Sequence, residues 1–275
     1  MRFTVFGSSG YIGSHLATYL GKEGMDCLTP QRDDPSIFDH ELGHVIYSIG
    51  LTADFRQKPL DTVNAHVCQL LEVLRRGRFQ SLLYLSSTRL YSGAESGDEG
   101  VTVAVNPEDS SDVYNLSKLM GEATCFALGQ PQIRVARLSN VYGNDWMSDN
   151  FLTSVIRSAV DDGQIVLQTD LDSAKDYISI LDVVPTLLNI ATKGSHRLYN
   201  VASGLNVSVR ALTDRLRDLT GCTVRVRDGS PVTSFPRINT ARLRNEFTRT
   251  PANVLDSLPA LIADYGKHKA SRKTR

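Results

Sequence analysis

Tyr114 and Lys118 stand four residues apart in Tyr114-Asn115-Leu116-Ser117-Lys118. On a helix that spacing puts both side chains on one face, one turn apart. A phenol, with a pKa of about 10, is a poor acid–base catalyst at neutral pH, and a neighbouring ammonium favours its ionised form. Ser86-Ser87-Thr88 closes the apolar run SLLYLS. A hydroxyl there faces the crevice at the carboxyl edge of a sheet and can hold a carbonyl or carbinol oxygen while Tyr114 moves its proton. Gly7, Gly10 and Gly13, in GSSGYIG, lie between an apolar strand and a helix. In that context glycines allow a sharp turn and leave the backbone bare for a pyrophosphate, which meets the free N–H groups and positive dipole end of the helix. Each feature has an ordinary explanation alone, since tight turns use glycine and Tyr–Lys pairs recur on helices. Glycine loop, strand-end serines and tyrosine–lysine helix in that order are what hydride transfer from a nicotinamide dinucleotide needs.

The second strand should end in the residue that reads the adenosine ribose: an acid for a free 2′-hydroxyl, an arginine for a 2′-phosphate. The segment runs Leu28-Thr29-Pro30-Gln31-Arg32-Asp33-Asp34. Gln31 takes the place of the acid and Arg32 follows it, which favours NADP over NAD. Asp33, two residues beyond Gln31, is the nearest acid.

Around these residues apolar runs alternate with helical patterns. Strands are expected at 2–6, 26–29, 44–49, 81–86 and 133–138, and helices at 11–20, 60–75 and 112–128. Strand and helix in alternation predict a Rossmann-type, doubly wound parallel α/β sheet, with 81–86, apolar on both faces, at its centre. This dinucleotide-binding part spans 1–145, with 175–202 returning to it. Residues 146–275 are expected to be mainly a smaller C-terminal substrate-binding lobe. It carries helices at 151–160, 181–191, 208–220 and near 254–262, and strands at 164–168, 197–201 and 223–227. The basic tail 267–275 reads as disordered.

Composition removes classes. The 275 residues carry thirty Lys plus Arg and thirty Asp plus Glu, a formal net charge of +0, without the basic excess that phosphate-backbone binding requires. No apolar run approaches the roughly 20 residues of a membrane span, and no secretory leader pattern opens the chain. Cys27, Cys68, Cys125 and Cys222 fit neither a metal pattern nor a disulfide framework and read as buried thiols of a cytoplasmic protein.

With these residues in hand, the chain resembles an extended short-chain dehydrogenase/reductase of the NAD-dependent epimerase/dehydratase type, a family acting mostly on nucleotide sugars. The resemblance runs through GSSGYIG, HVIYSIGLT, YLSSTRLYSG, YNLSK, RLSNVYG and LYNVASG. It implies Tyr114 as acid–base, Lys118 as its activator and nicotinamide-ribose ligand, and Ser87, four residues before Tyr91, as the oxygen-binding hydroxyl. It also implies Gly7, Ser9, Gly10, Tyr11, Ile12, Gly13, Arg32, Gly50 and Ser86 around the cofactor, with Asn140 on the substrate's diphosphate. In SAKDYISILDVV the family often has an arginine where this chain has Lys175, a point charge rather than a bidentate fork; Arg237 or Arg242 is expected to compensate. Family 4,6-dehydratases follow the catalytic Thr with an Asp–Glu pair, and here those positions are Thr88 and Arg89, which argues against elimination.

Three readings remain open from sequence. One is a ketoreductase acting on a nucleotide-linked keto-sugar. Another is a nucleotide-sugar epimerase with tightly held NAD. The third is a non-catalytic dinucleotide sensor, disfavoured by the intact Ser87, Tyr114 and Lys118. Relatives often pair through the tyrosine-bearing helix and its neighbour, so a homodimer is expected.

Overall fold

The computed structural model describes residues 1–32, 34–51, 54–248 and 250–273, with backbone only at Lys273. Asp33, Thr52 and the last two residues of the tail thus lie outside the described residues. Six parallel strands form the main sheet in the order β2-β1-β3-β4-β5-β9: β1 (Arg2–Phe6), β2 (Asp26–Leu28), β3 (Glu41–Tyr47), β4 (Arg78–Ser87), β5 (Ile133–Leu138) and β9 (Leu198–Val201). From β1 the chain runs out to β2 and then returns to β3 on the other side. Such a reversal opens a crevice at the carboxyl ends of β1 and β3.

Helices cover both faces. Leu83 and Leu85 of β4 pack with α1 (Tyr11–Lys22) and α6 (Ile180–Lys193). Leu82 and Tyr84 point the other way, toward α3 (Gln69–Arg76) and α4 (Asp112–Ala127). These four consecutive side chains are all buried. Fully burying each Leu contributes roughly 1.5–3 kcal/mol, so β4 is firmly held from both faces.

Between β3 and β4 the expected helix 60–75 is interrupted. It runs as α2 (Pro59–Val63), a π turn (Asn64–Cys68) and α3. Two buried tyrosines from neighbouring strands hold the π turn: the Tyr47 hydroxyl donates to the Ala65 carbonyl at 2.6 Å and that of Tyr84 to the His66 carbonyl at 3.2 Å. π turns inside helices often mark functional sites.

The second lobe has its own core, including Trp146, Leu152, Ile156, Leu212 and Leu258. It is built from α5 (Phe151–Asp161), α7 (Val209–Thr220) and α9 (Val254–Lys273), with the two-stranded pair β7 (Gln164–Leu167) and β11 (Thr223–Val226). A three-stranded sheet, β10-β8-β6, joins the lobes through β6 (Asn140–Tyr142), β8 (Ala174–Ser179) and β10 (Asn206–Ser208). Helix α8 (Ala241–Glu246) packs against β9.

Three expectations need correction. Within 175–202, α6 and β9 join the main sheet, but Lys175 and Asp176 pair with Val207 and Asn206 in the small sheet. The tail is not disordered through 267–273. It continues α9, where the Lys269 Nζ meets Asp161 Oδ1 at 2.6 Å, the Tyr265 hydroxyl bonds the same carboxylate, and Trp146 Nε1 donates to Asp264 at 2.8 Å. Among the cysteines only Cys125 and Cys222 are buried; Cys68 is exposed and Cys27 half-buried. No helix among the described residues is long and apolar enough to cross a membrane.

Candidate active site

The turn after β1 is shaped by two glycines. Gly7 has φ +84°, and a Cβ there would lie 2.8 Å from the Ile49 nitrogen. A Cβ on Gly13 would lie 2.1 Å from the Gly7 carbonyl oxygen, so only glycine lets α1 pack on the turn. Gly10 has another role. It caps α1 without a side-chain hydrogen bond, leaving the first N–H groups and the positive dipole end open. Gly10, Tyr11 and Ile12 line one end of a cleft of about 490 Å³. Ser48, Ile49 and Gly50, after β3, form the adjoining wall. This bare-backbone cradle fits a dinucleotide. Ser9 and Arg32 are exposed and outside the cleft lining.

At the other end, Ser86 and Ser87 close β4, Thr88 and Arg89 follow it, and all four line the cleft with Tyr114 and Lys118 of α4. The helical spacing puts Tyr114, Lys118 and Glu122 on one inward face, and all three are buried. Glu122 was not evident from sequence. It forms a bidentate pair with Arg137 of β5, with nitrogen–oxygen distances of 2.9 and 2.6 Å, and accepts the Ser86 hydroxyl at 2.5 Å. Ser86 therefore lines the cleft but spends its proton on Glu122. Arg137 also donates to the Tyr91 hydroxyl at 3.0 Å, which in turn donates to Asn200 at 2.7 Å. Tyr91 is thus part of the rigid back wall.

The electrostatics depart from what the Tyr–Lys spacing alone implies. Burial pushes the Tyr114 phenol above its ordinary pKa, while the Ser87 hydroxyl and the Arg89 guanidinium pull it back only in part. Buried among side chains, a phenolate loses more hydration than those neighbours return. The Lys118 Nζ lies 6.0 Å from the Tyr114 ring centre and donates to the Leu85 carbonyl at 2.8 Å. Burial brings its own pKa down to about 7, against the opposing pull of Glu122. Arg89 lies over Phe55 and Tyr114, with its Nε unpartnered among the described residues.

Residues from the second half complete the cleft. Asn140 lines it, with its amide nitrogen donating to the Asp176 carbonyl at 2.8 Å. Lys175 enters beside Phe235 and has no carboxylate partner among the described residues; burial, then Arg89, lowers its pKa. The neighbouring Asp176 carboxylate anchors the turn at 203–205, taking N–H donors from Ser203, Gly204 and Leu205 at 2.7–3.0 Å. Arg237 is placed elsewhere than the sequence predicts: it is exposed, donates to the Gly204 carbonyl at 2.7 Å and does not line the cleft. Arg242 pairs with Glu99 at 3.7 Å, also outside it.

The model of the NAD dependent epimerase/dehydratase family matches residues 3–202. A GDP-6-deoxy-D-mannose reductase from Pseudomonas aeruginosa is 25% identical over 246 residues, covering 79% of this chain and 80% of its own. A UDP-glucose 4-epimerase from Corynebacterium glutamicum is 22% identical over 313 aligned positions, 91% of each chain. Among solved structures, RMD from Pseudomonas aeruginosa complexed with NADPH superposes with a TM-score of 0.79 at 24% identity, over 96% of this chain and 99% of its own. Bare glycine turn, parallel sheet and buried tyrosine–lysine helix agree with that match, and the chain belongs to the NAD dependent epimerase/dehydratase family of extended short-chain dehydrogenases/reductases.

Proposed function

We propose that the protein reduces a keto group on a nucleotide-linked sugar, with NADPH as the preferred reductant. The observation that carries this reading is the meeting of Ser87, Tyr114 and Lys118 at one end of a cleft whose other end is the uncapped glycine turn. When bound, the nicotinamide supplies hydride to the carbonyl carbon. Ser87 holds the carbonyl oxygen, and the Tyr114 phenol, kept protonated by burial, hands its proton to that oxygen as negative charge grows. Lys118 lies behind the phenol and supplies positive charge as it ionises.

Gly7 and Gly13 shape the cofactor cradle, Gly10, Tyr11, Ile12 and Gly50 line it, and Ser86 borders the nicotinamide at the far end of the cleft. Ser9 and Arg32 approach from the exposed side, Arg32 toward a 2′-phosphate. Lys175 and Asn140 take the diphosphate. Two half-buried cations without carboxylate partners among the described residues, Lys175 and Arg89, favour an anionic substrate. Arg89 stands where elimination would need a carboxylate, which disfavours dehydration.

The second reading is an epimerase that keeps NAD and returns the hydride to the opposite face; its support is the epimerase relative that spans 91% of both chains. Purified protein decides between the two. Exchangeable NADPH consumed with a nucleotide-linked keto-sugar supports the reductase, and NAD retained through purification supports the epimerase. Tyr114→Phe should cut turnover roughly 10²–10⁴-fold while NADPH still raises the melting temperature. Unchanged turnover in that variant would overturn both readings.

A further inference from the structure

His66 lies on the π turn and is fully buried. Its Nδ1 lies 2.8 Å from the Ser117 hydroxyl, and that hydroxyl donates its single proton to the Tyr114 carbonyl at 2.9 Å. Ser117 must therefore accept from His66, so the imidazole proton is on Nδ1 and the Nε2 lone pair is bare. Nε2 has no hydrogen-bond partner among the described residues. Its position is defined from several sides. The ring meets Tyr114 edge-on at 5.2 Å, and the carbonyls of Ala65 and His66 are held by Tyr47 and Tyr84.

What the lone pair faces is set by the glycine at 50. A Cβ there would lie 3.1 Å from His66 Nε2 and 3.5 Å from Lys118 Nζ. The acceptor and the ammonium thus flank one small gap that any larger residue would fill. The ammonium has three donors, and the structure gives it one protein acceptor, the Leu85 carbonyl. A histidine serving only as core filler has no reason to leave a buried nitrogen bare beside a cation short of acceptors.

We propose that His66 is a positioning residue for Lys118: its Nε2 lone pair accepts a hydrogen bond from the ammonium, directly or through one water, and so keeps Lys118 charged and aimed at the cleft. The imidazole is suited to this because it stays neutral. Burial, then the charge of Lys118, pushes its pKa down to about 2, so it accepts at every working pH and never repels the ammonium. The titratable groups facing Lys118 are Tyr114 and Glu122 on its own helix, Tyr84 on β4 and His66 on the π turn.

The inference rests on Tyr114 and Lys118 being the acid–base pair, so the test has an arm independent of turnover. In ¹⁵N NMR of the cofactor-free protein, His66 should keep a protonated Nδ1 and a bare Nε2 from pH 5 to pH 9. The Lys118 titration should fall by about one pH unit in His66→Leu. In the active enzyme, His66→Leu should lower kcat roughly ten- to a hundredfold with KM for the nucleotide sugar little changed. The alkaline limb of the kcat profile should move toward acid by the same unit. His66→Gln, whose amide oxygen can stand in for Nε2, should restore much of both. A proton on Nε2, titration of His66 above pH 5, or a His66→Leu enzyme with only a lower melting temperature and an unmoved alkaline limb would overturn the proposal. If His66→Leu does not fold, the tautomer in the wild-type protein decides. A bare Nε2 in a protein that turns over no nucleotide sugar would sink the functional reading and leave the hydrogen bond standing.

Discussion

Replacing Lys118 by methionine should stabilise the cofactor-free protein while destroying its activity. Lys118 is buried and has one hydrogen-bond acceptor, the Leu85 carbonyl. Burial lowers its pKa from 10.5 to about 7. At about 1.4 kcal/mol per unit, holding the charge in the folded state costs roughly 4–5 kcal/mol at most. The sign follows from linkage: with the folded pKa below the unfolded one, the penalty is fully present below about pH 7 and fades as pH rises toward 10.5. Methionine fills a similar volume without charge, and losing the bonds to Leu85 and His66 gives back only about 1 kcal/mol each. Even a net gain of about 1.5 kcal/mol raises the melting temperature by roughly 3–6 °C in a chain of this size. Thermal unfolding of both proteins from pH 6 to pH 10 checks this: the variant should melt higher at pH 6, with the gap closing toward pH 10. A variant that melts lower at pH 6, or by a constant margin at every pH, would show that Lys118 is not strained and that its charge is fully compensated in the resting fold.

Three further outcomes follow from the same structure. Glu122→Leu leaves Arg137 charged and buried and should cost about 3–5 kcal/mol, read by urea unfolding. The Glu122→Leu/Arg137→Met double variant should recover most of that, and a strictly additive double variant would mean the pair is not coupled. Arg32→Ala should raise KM for NADPH with little effect on NADH, and equal effects on both would place the 2′-phosphate elsewhere. Met120 of α4 and Leu60 of α2 are large exposed apolar residues, 55% and 84% accessible, on the tyrosine helix and its neighbour. Met120→Glu combined with Leu60→Glu should convert a dimer to monomer in light scattering, whereas a wild-type monomer would remove the expected contact.

Much of the site was legible because its signals are local. Tyr114 and Lys118 need only the pitch of one helix to share a face. Gly7, Gly10 and Gly13 need only one turn, and the apolar run at 81–86, short and apolar on both faces, suits a covered central strand. Helix continuity was read less well. Apolar periodicity runs unbroken from 60 to 75, and nothing in it marks the π turn, which depends on hydroxyls donated by Tyr47 and Tyr84 from two strands. Arg237 was misplaced for a similar reason: its charge suits a diphosphate, but the turn at 203–205, fixed by Asp176, takes it to the Gly204 carbonyl instead.

Sequence alone determined that a dinucleotide cradle, strand-end hydroxyls and an inward tyrosine–lysine pair occur in that order, because each is encoded over a few residues by backbone sterics or helix pitch. Tertiary structure alone decided which charges are compensated. Glu122 finds Arg137 across 15 positions and His66 finds Ser117 across 51, and Asp161, 108 positions from Lys269, helps to fix the tail as helix. Desolvation belongs to this second group, since how far water is excluded from Tyr114 and Lys118 depends on every element packed around them, and that exclusion sets their proton affinities.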